Sequence, residues 1–155
     1  MLKVDLQTEQ AIQYLTQNLT QFARNKAIRE GLGSAAKVFE SYGRANLAVR
    51  MEGKYATGAT LRSFRTRVTI GRKSDGGPTA VAGLHWPEGY KAHWLDLGTE
   101  ERFHKKIGKN GKRKSVGRMP ANYFFTDART EGEKPAMDAI YDGIQRAIDR
   151  INSGR

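Results

Sequence analysis

The residues best placed to do chemistry lie in one run, 102–118, which reads RFHKKIGKNGKRKSVGR. It carries Arg102, Lys105, Lys106, Lys109, Lys112, Arg113, Lys114 and Arg118, eight cations, and no acid. The chain's formal net charge is +11, so the remaining residues together net only +3. Such a density of positive charge attracts phosphate or an acidic protein rim, and docking of that kind is favoured over a role in solubility alone. Phe103, Ile107 and Val116 sit among the cations. An aromatic among cations can stack on a base, although no recognition-helix pattern accompanies it. Gly108, Gly111 and Gly117 oppose helix formation. The run is therefore expected to be a flexible basic loop and not an amphipathic helix laid on lipid, and no membrane partner is expected.

The rest of the chain gives no positive signal for other chemistry. The chain has no Cys, which removes disulfides and zinc–thiolate sites. His85, His93 and His104 have no metal-ligand spacing. His93 and Asp96 are near enough in sequence for a local pair, read as polar decoration of a strand. Asp96, Glu100 and Glu101 flank the basic run, and charge balancing is the expected role of all three. Ser63 and Ser115 lack the context of a nucleophile elbow. Gly31-Leu32-Gly33-Ser34-Ala35-Ala36 satisfies the dinucleotide pattern G-x-G-x-x-A. That pattern requires a strand before it, whereas the preceding residues read as helix, so helix packing is expected there. Gly111-Lys112 lacks the rest of a phosphate-binding loop. No catalytic residue, metal or cofactor is expected, and the chain is read as a non-enzyme.

The elements that must position the basic run can be read from periodicity. A length of 155 residues fits a single domain spanning 1–155. Leu2, Val4 and Leu6 alternate with polar residues and predict a short strand. Thr8 offers an N-cap, and Ile12, Leu15, Leu19 and Phe22 follow on one helical face. The apolar stripe resumes at Ile28, Leu32, Ala35, Ala36, Phe39, Gly43 and Leu47, predicting a helix from about Asn25 to Arg50. Its glycines and alanines form a small-residue surface suited to close contact with a sheet or another helix. Met51 to Thr60 reads as loop. Phe64, Thr66, Val68 and Ile70 alternate with Arg65, Arg67 and Thr69, which gives a strand with one wet, cationic face. Turn residues over 73–78 lead to a return strand from Ala80 to His85. Tyr90 to Leu97 reads as a further strand. Thr130-Glu131-Gly132-Glu133 fits a capping box, and Pro135 suits the first turn of a last helix. Met137, Ile140, Tyr141, Ile144, Ile148 and Ile151 form that helix's apolar face. The class is α+β: a small, mainly antiparallel sheet packed by a long N-terminal helical region and a C-terminal helix. No apolar run approaches the roughly 20 residues of a membrane span, and the N-terminus has no signal-peptide core.

Three stretches, in order, resemble a family of tailed-bacteriophage neck and tail-completion proteins, which work at the head–tail junction. Thr57-Gly58-Ala59-Thr60-Leu61-Arg62-Ser63 is similar to the family's Thr-Gly-x-Leu-x-x-Ser start to its first hairpin strand. One extra residue precedes Leu61 and one fewer follows it. Trp94-Leu95-Asp96-Leu97-Gly98-Thr99 is similar to an aromatic-rich run ending in acid-x-Gly-Thr, with Asp96 where Glu is usual. Met119-Pro120-Ala121-Asn122-Tyr123-Phe124-Phe125-Thr126-Asp127-Ala128 resembles the family's Pro-Phe-x-x-x-Ala run before its last helix. Tyr123 stands there in place of the second Pro. The signature positions carried over are Gly58, Leu61, Asp96, Gly98, Thr99, Pro120 and Phe124. The resemblance implies a structural virion component assembled in the host cytoplasm, a ring subunit whose partners are its own copies and the neighbouring head-connector and tail proteins. The basic run is then expected to be disordered in the free subunit. It would order on assembly against an acidic neighbour or the DNA in the channel. The edge of the Phe64–Ile70 strand offers a pairing surface between subunits. The alternative function is a sequence-nonspecific nucleic-acid-binding protein that uses the basic run and the Arg65/Arg67 face.

Overall fold

The computed structural model describes residues 6–51, 58–69, 78–107 and 110–154. The elements in order are α1 (Leu6–Thr16), α2 (Gln21–Arg50), α3 (Gly58–Ser63), β1 (Phe64–Thr69), β2 (Thr79–Leu84), a 3-10 turn (Glu88–Lys91), α4 (Ala92–Leu97), β3 (Arg102–Ile107), β4 (Arg113–Gly117) and α5 (Phe124–Asn152). The class is α+β, as the periodicities indicated. No helix among the described residues is long and apolar enough to cross a membrane.

Two long helices form the frame. α2 has 30 residues and α5 has 29, so each runs roughly 45 Å at 1.5 Å per residue. They pack antiparallel, with Gly31 against Gly143 and Asn46 against Phe124. Ala27, Ala35, Phe39, Ala136, Ile140, Ile144 and Ala147 are buried between them. Small residues let the backbones nearly touch. A methyl group placed on Gly31 would lie 2.7 Å from the Ile140 carbonyl oxygen, and one on Gly143 would lie 2.8 Å from the Gly31 Cα. The G-x-G-x-x-A run thus sits inside α2 and serves helix packing. α1 adds Ile12, Leu15 and Leu19 to the same core. The break between α1 and α2 falls at 17–20, where the Thr20 hydroxyl accepts the Ala23 N–H at 3.3 Å and caps α2.

At the other end of the frame, Leu47, Phe64 and Phe124 form a second buried cluster. The Phe64 and Phe124 rings meet edge-on with centroids 6.0 Å apart, a favoured aromatic geometry. β1 and β2 are antiparallel, in register from Phe64 opposite Leu84 to Thr69 opposite Thr79. This matches the expected hairpin, whose turn lies outside the described residues. Arg65 and Arg67 are exposed on β1, as its alternation required.

Several expectations are corrected. The N-terminal strand falls mostly outside the described residues, and Leu6 opens α1, ahead of the expected cap at Thr8. Phe22 is 82% exposed and does not extend the α1 face, because the break at 17–20 resets the helical phase. Gly58 to Thr60 belong to α3, where a loop was expected. Tyr90 to Leu97 is a 3-10 turn followed by α4, and not a strand. Its spacing of four between Tyr90 and Trp94 is helical; these rings touch edge-on at 5.8 Å. The basic run expected as an irregular loop contains β3 and β4. The strands form two separate two-stranded sheets instead of one. Finally, α5 starts at Phe124, and Pro135 lies inside it. The expected capping box at Thr130 is an interior turn, because the true cap comes from elsewhere in the chain.

Candidate docking site: a cationic hairpin and its anchor

β3 and β4 form an antiparallel ribbon with Arg102 opposite Gly117, Phe103 opposite Ser115 and Ile107 opposite Arg113. Every residue of both strands is exposed. At the tip, the Lys112 N–H donates to Asn110 Oδ1 at 3.2 Å, and Gly111 takes a φ of +72°. Near the base, Ser115 Oγ donates to Glu101 Oε1 at 2.6 Å and accepts the Gly117 N–H at 3.0 Å. The register shifts between Arg102 and Phe103 and again between Phe103 and Ile107, so Phe103 and Ile107 oppose Ser115 and Arg113 across an irregular ladder. On β4, side chains alternate, and Arg113 and Ser115 face one way and Lys114 the other. Both faces therefore carry cations.

Of the eight expected docking residues, Arg102, Lys105 and Lys106 lie on β3, Arg113 and Lys114 on β4, and Lys112 in the turn. Arg118 stands at the base, and Lys109 lies outside the described residues. None of the seven described cations joins an ion pair among the described residues. The run contains two strands paired with register shifts between Arg102 and Phe103 and between Phe103 and Ile107. The missed signal was Asn110-Gly111 between segments bearing Phe103, Ile107 and Val116, since Asn-Gly is a strong hairpin-turn signal.

An isolated two-stranded ribbon is marginally stable in water, so its position depends on how its base is held. Thr99 and Met119 lock the two connecting chains: the Thr99 N–H donates to the Met119 carbonyl at 2.9 Å, and the Met119 N–H donates to Thr99 Oγ1 at 2.9 Å. Between α4 and this pair, Gly98 adopts a φ of +75° and a ψ of −170°, a region essentially confined to glycine. A methyl group on Gly98 would also lie 2.7 Å from both the Ala121 nitrogen and the Met119 carbonyl oxygen. Beside the base is an open cleft of about 920 Å³ lined by His93, Leu97, Glu100, Glu101 and Arg118, among others.

Asp96 ties this junction to the frame. It is only 8% exposed. Its Oδ1 accepts the Phe125 N–H at 2.8 Å and the Thr126 N–H at 3.1 Å, and its Oδ2 accepts the Thr126 hydroxyl at 2.7 Å. The residue at the N-cap position of α5, Tyr123, is left-handed (φ +55°) and makes no side-chain cap. Asp96 therefore caps α5 from another element, and its negative charge lies at the positive end of the helix dipole. This corrects its expected roles as charge balance near the loop or as a partner of His93. The Asp96 carbonyl also accepts the N–H groups of Asn122 (3.1 Å) and Tyr123 (2.9 Å). Arg50, at the end of α2, closes the other side by pairing with Asp127 at 2.6 Å and donating to the Asn122 carbonyl at 2.9 Å.

The signature positions gather around this junction. Asp96, Gly98 and Thr99 interlock with the 119–124 strip, and Phe124 is buried in the cluster beneath it. Pro120 is exposed on the strip, Leu61 packs against the Leu47–Phe64–Phe124 cluster, and Gly58 opens α3. The 3-10 turn is fastened to α3, because Thr60 Oγ1 donates to Glu88 Oε2 at 3.3 Å. Lys91 Nζ donates to the same oxygen at 2.7 Å, a bond that lowers the pKa of Glu88 and raises that of Lys91. The β1 edge is less open than expected for pairing between subunits: Glu40 Oε2 accepts the Thr66 N–H at 2.9 Å, and His85 Nε2 lies 3.1 Å from the Arg65 carbonyl.

Comparisons with protein-family models, curated proteins and solved structures found no match for this chain.

Proposed function

We propose that this chain is a structural subunit of a tailed-phage particle, a copy in a neck or tail-completion ring that fastens the head to the tail. The observation that carries this reading is the way the resemblance and the charge coincide. Two of the three resembling stretches interlock at Asp96–Thr99 and Met119–Phe124, and the cationic hairpin is the insertion between them. A fastening subunit needs a firm body and an arm that reaches a neighbour, and a hairpin exposed along both strands on a capped, hydrogen-bonded base meets that need. Its partners are its own copies and the adjoining connector and tail proteins. The virion is its final location, after assembly in the host cytoplasm. Removal of residues 102–118 from the gene in a phage genome should give filled heads and finished tails that do not join. Normal virions from that mutant would refute a joining role for the arm.

A second reading, sequence-nonspecific nucleic-acid binding, is favoured by the presence of cations on both faces of the ribbon and by the exposure of Arg65 and Arg67. A two-stranded ribbon fits the major groove. Filter binding by the isolated chain that falls steeply with salt, and that disappears on removal of the arm, would support this reading over the first.

A further inference from the structure

Seven described cations of the hairpin join no ion pair among the described residues, and the same chain carries a complementary surface. Along α5, Glu131, Asp138, Asp142 and Asp149 are all exposed. Their spacings of seven, four and seven place them within about 40° of one another around the helix, over roughly 27 Å. Of the four basic side chains on α5, exposed Lys134 stands between Glu131 and Asp138 and joins no ion pair among the described residues, while two others turn to α2. Arg146 donates to Ser34 Oγ at 3.3 Å, and Arg150 pairs with Glu30, both on α2. Asp149 accepts from Gln145. Glu131, Asp138 and Asp142 join no ion pair among the described residues.

We infer that the hairpin of one copy docks along the outer face of α5 of a second copy. Charge complementarity selects this occupant. Among the described residues no ion pair joins the hairpin to α5 within one chain, and a contact between copies satisfies both sets at once. The lengths also agree, since six strand residues extend roughly 20 Å against the roughly 27 Å of the helical stripe. Duplex DNA would neutralise the arm but leave the acidic face of α5 unmatched. Each copy gives an arm and receives one: two copies that exchange arms close a two-fold dimer, whereas a head-to-tail contact generates a ring if the rotation closes or a filament if it does not. Because the paired groups are exposed, the contact weakens as salt shortens the screening length to about 3 Å near 1 M. It concerns purified protein and stands or falls apart from the head–tail reading, which particle assembly tests.

Two charge reversals test it. One is made on the arm (K105E, K106E, R113E, K114E) and one on the helix (E131K, D138K, D142K). All seven positions are exposed, and circular dichroism and melting establish that each variant is folded. In sedimentation velocity at low salt, the wild type should associate and each variant alone should be monomeric. An equimolar mixture of the two variants should associate again, since each reversed arm meets a reversed helix. A mixture of folded variants that stays monomeric overturns the inference. So does a wild type that remains monomeric at low salt, or variants that associate as well as the wild type. Retention of duplex DNA by the wild type without self-association assigns the arm to nucleic acid and likewise overturns it. Carbodiimide cross-linking of the wild-type oligomer gives a readout independent of mutation. Amide links from Lys105, Lys106 or Lys114 to Glu131, Asp138 or Asp142 of another copy are expected, and an oligomer that lacks them refutes the contact.

Discussion

Replacing Asp96 tests whether the arm's anchor and the start of α5 form one unit. In Asp96→Ala, the Phe125 and Thr126 amides and the Thr126 hydroxyl all lose their acceptor. A lost N-cap costs about 0.5–2 kcal/mol. The charge at the helix N-terminus adds about 0.3–1 kcal/mol, and hydrogen bonds to a charged group are worth about 1.5–3 kcal/mol each. These contributions overlap, so we expect a net loss of about 3 kcal/mol for the alanine variant. At 2–4 °C per kcal/mol for a chain of this size, that corresponds to a fall in Tm of about 6–12 °C. Asp96→Asn keeps one oxygen toward both amides and can donate to Thr126 Oγ1, so it should lose only about 1 kcal/mol, chiefly the charge contribution. Urea denaturation followed by far-UV circular dichroism supplies both values. Tryptophan fluorescence adds a local readout, because the chain's two tryptophans, Trp86 and Trp94, both precede this junction. In the alanine variant, the fluorescence transition should come at lower urea than the loss of helix. An alanine variant within about 0.5 kcal/mol of wild type, below the smallest cap effect, would refute the capping role. An asparagine variant as damaging as alanine would show that charge, and not cap geometry, dominates.

Gly98→Ala should cost at least about 2 kcal/mol, since the residue meets backbone on two sides in a conformation that L side chains avoid; a melting temperature equal to wild type would contradict that geometry. Gly143→Ala gains about 1 kcal/mol of helix propensity but drives a methyl group to within 2.8 Å of the Gly31 backbone, so a net destabilisation of roughly 1–2 kcal/mol is expected by chemical denaturation. Replacing 102–117 with two glycines should leave cooperative melting intact, because every described residue removed is exposed and the Thr99–Met119 pair lies below the cut; loss of cooperativity would show that the arm supports the body. Glu88 should titrate below ordinary glutamates by NMR, and Lys91→Ala should return it toward the usual range, because the Lys91 hydrogen bond is the main cause of its shift.

The frame was legible because the burial of α2 is periodic. Its buried residues Ala35, Phe39, Gly43 and Leu47 recur every four positions, and the small residues among them already implied a close helical neighbour. The β1–β2 hairpin was legible for a similar reason, as Phe64 to Thr69 alternates strictly. The segment from Tyr90 to Leu97 was not, because eight residues with four large apolar side chains fit either period, and the tie is broken by contacts with distant parts of the chain. The start of α5 was hidden for a sharper reason. Helix caps are read as local patterns, and Thr130-Glu131-Gly132-Glu133 offers a complete local pattern. The operative cap, Asp96, stands 28 residues before Phe124, across the whole hairpin, and only the tertiary structure places it there.

That separation has a physical consequence for the arm. Residues 97–123 form a closed excursion, fixed at one end by Asp96 and at the other by the first turn of α5, which Asp96 itself caps. The hairpin therefore emerges from a loop whose two ends meet at one carboxylate. Closing a long loop costs little more than closing a short one, because the entropy grows only with the logarithm of length. The length and charge of the arm can therefore vary with small effect on the stability of the helical frame, provided Asp96, Gly98 and the Thr99–Met119 pair are kept. Asp96, Gly98 and Thr99 consequently do different work from the cationic residues. The former hold the two ends of the excursion together. The described cations of the arm contribute nothing to the buried clusters and are left for a partner.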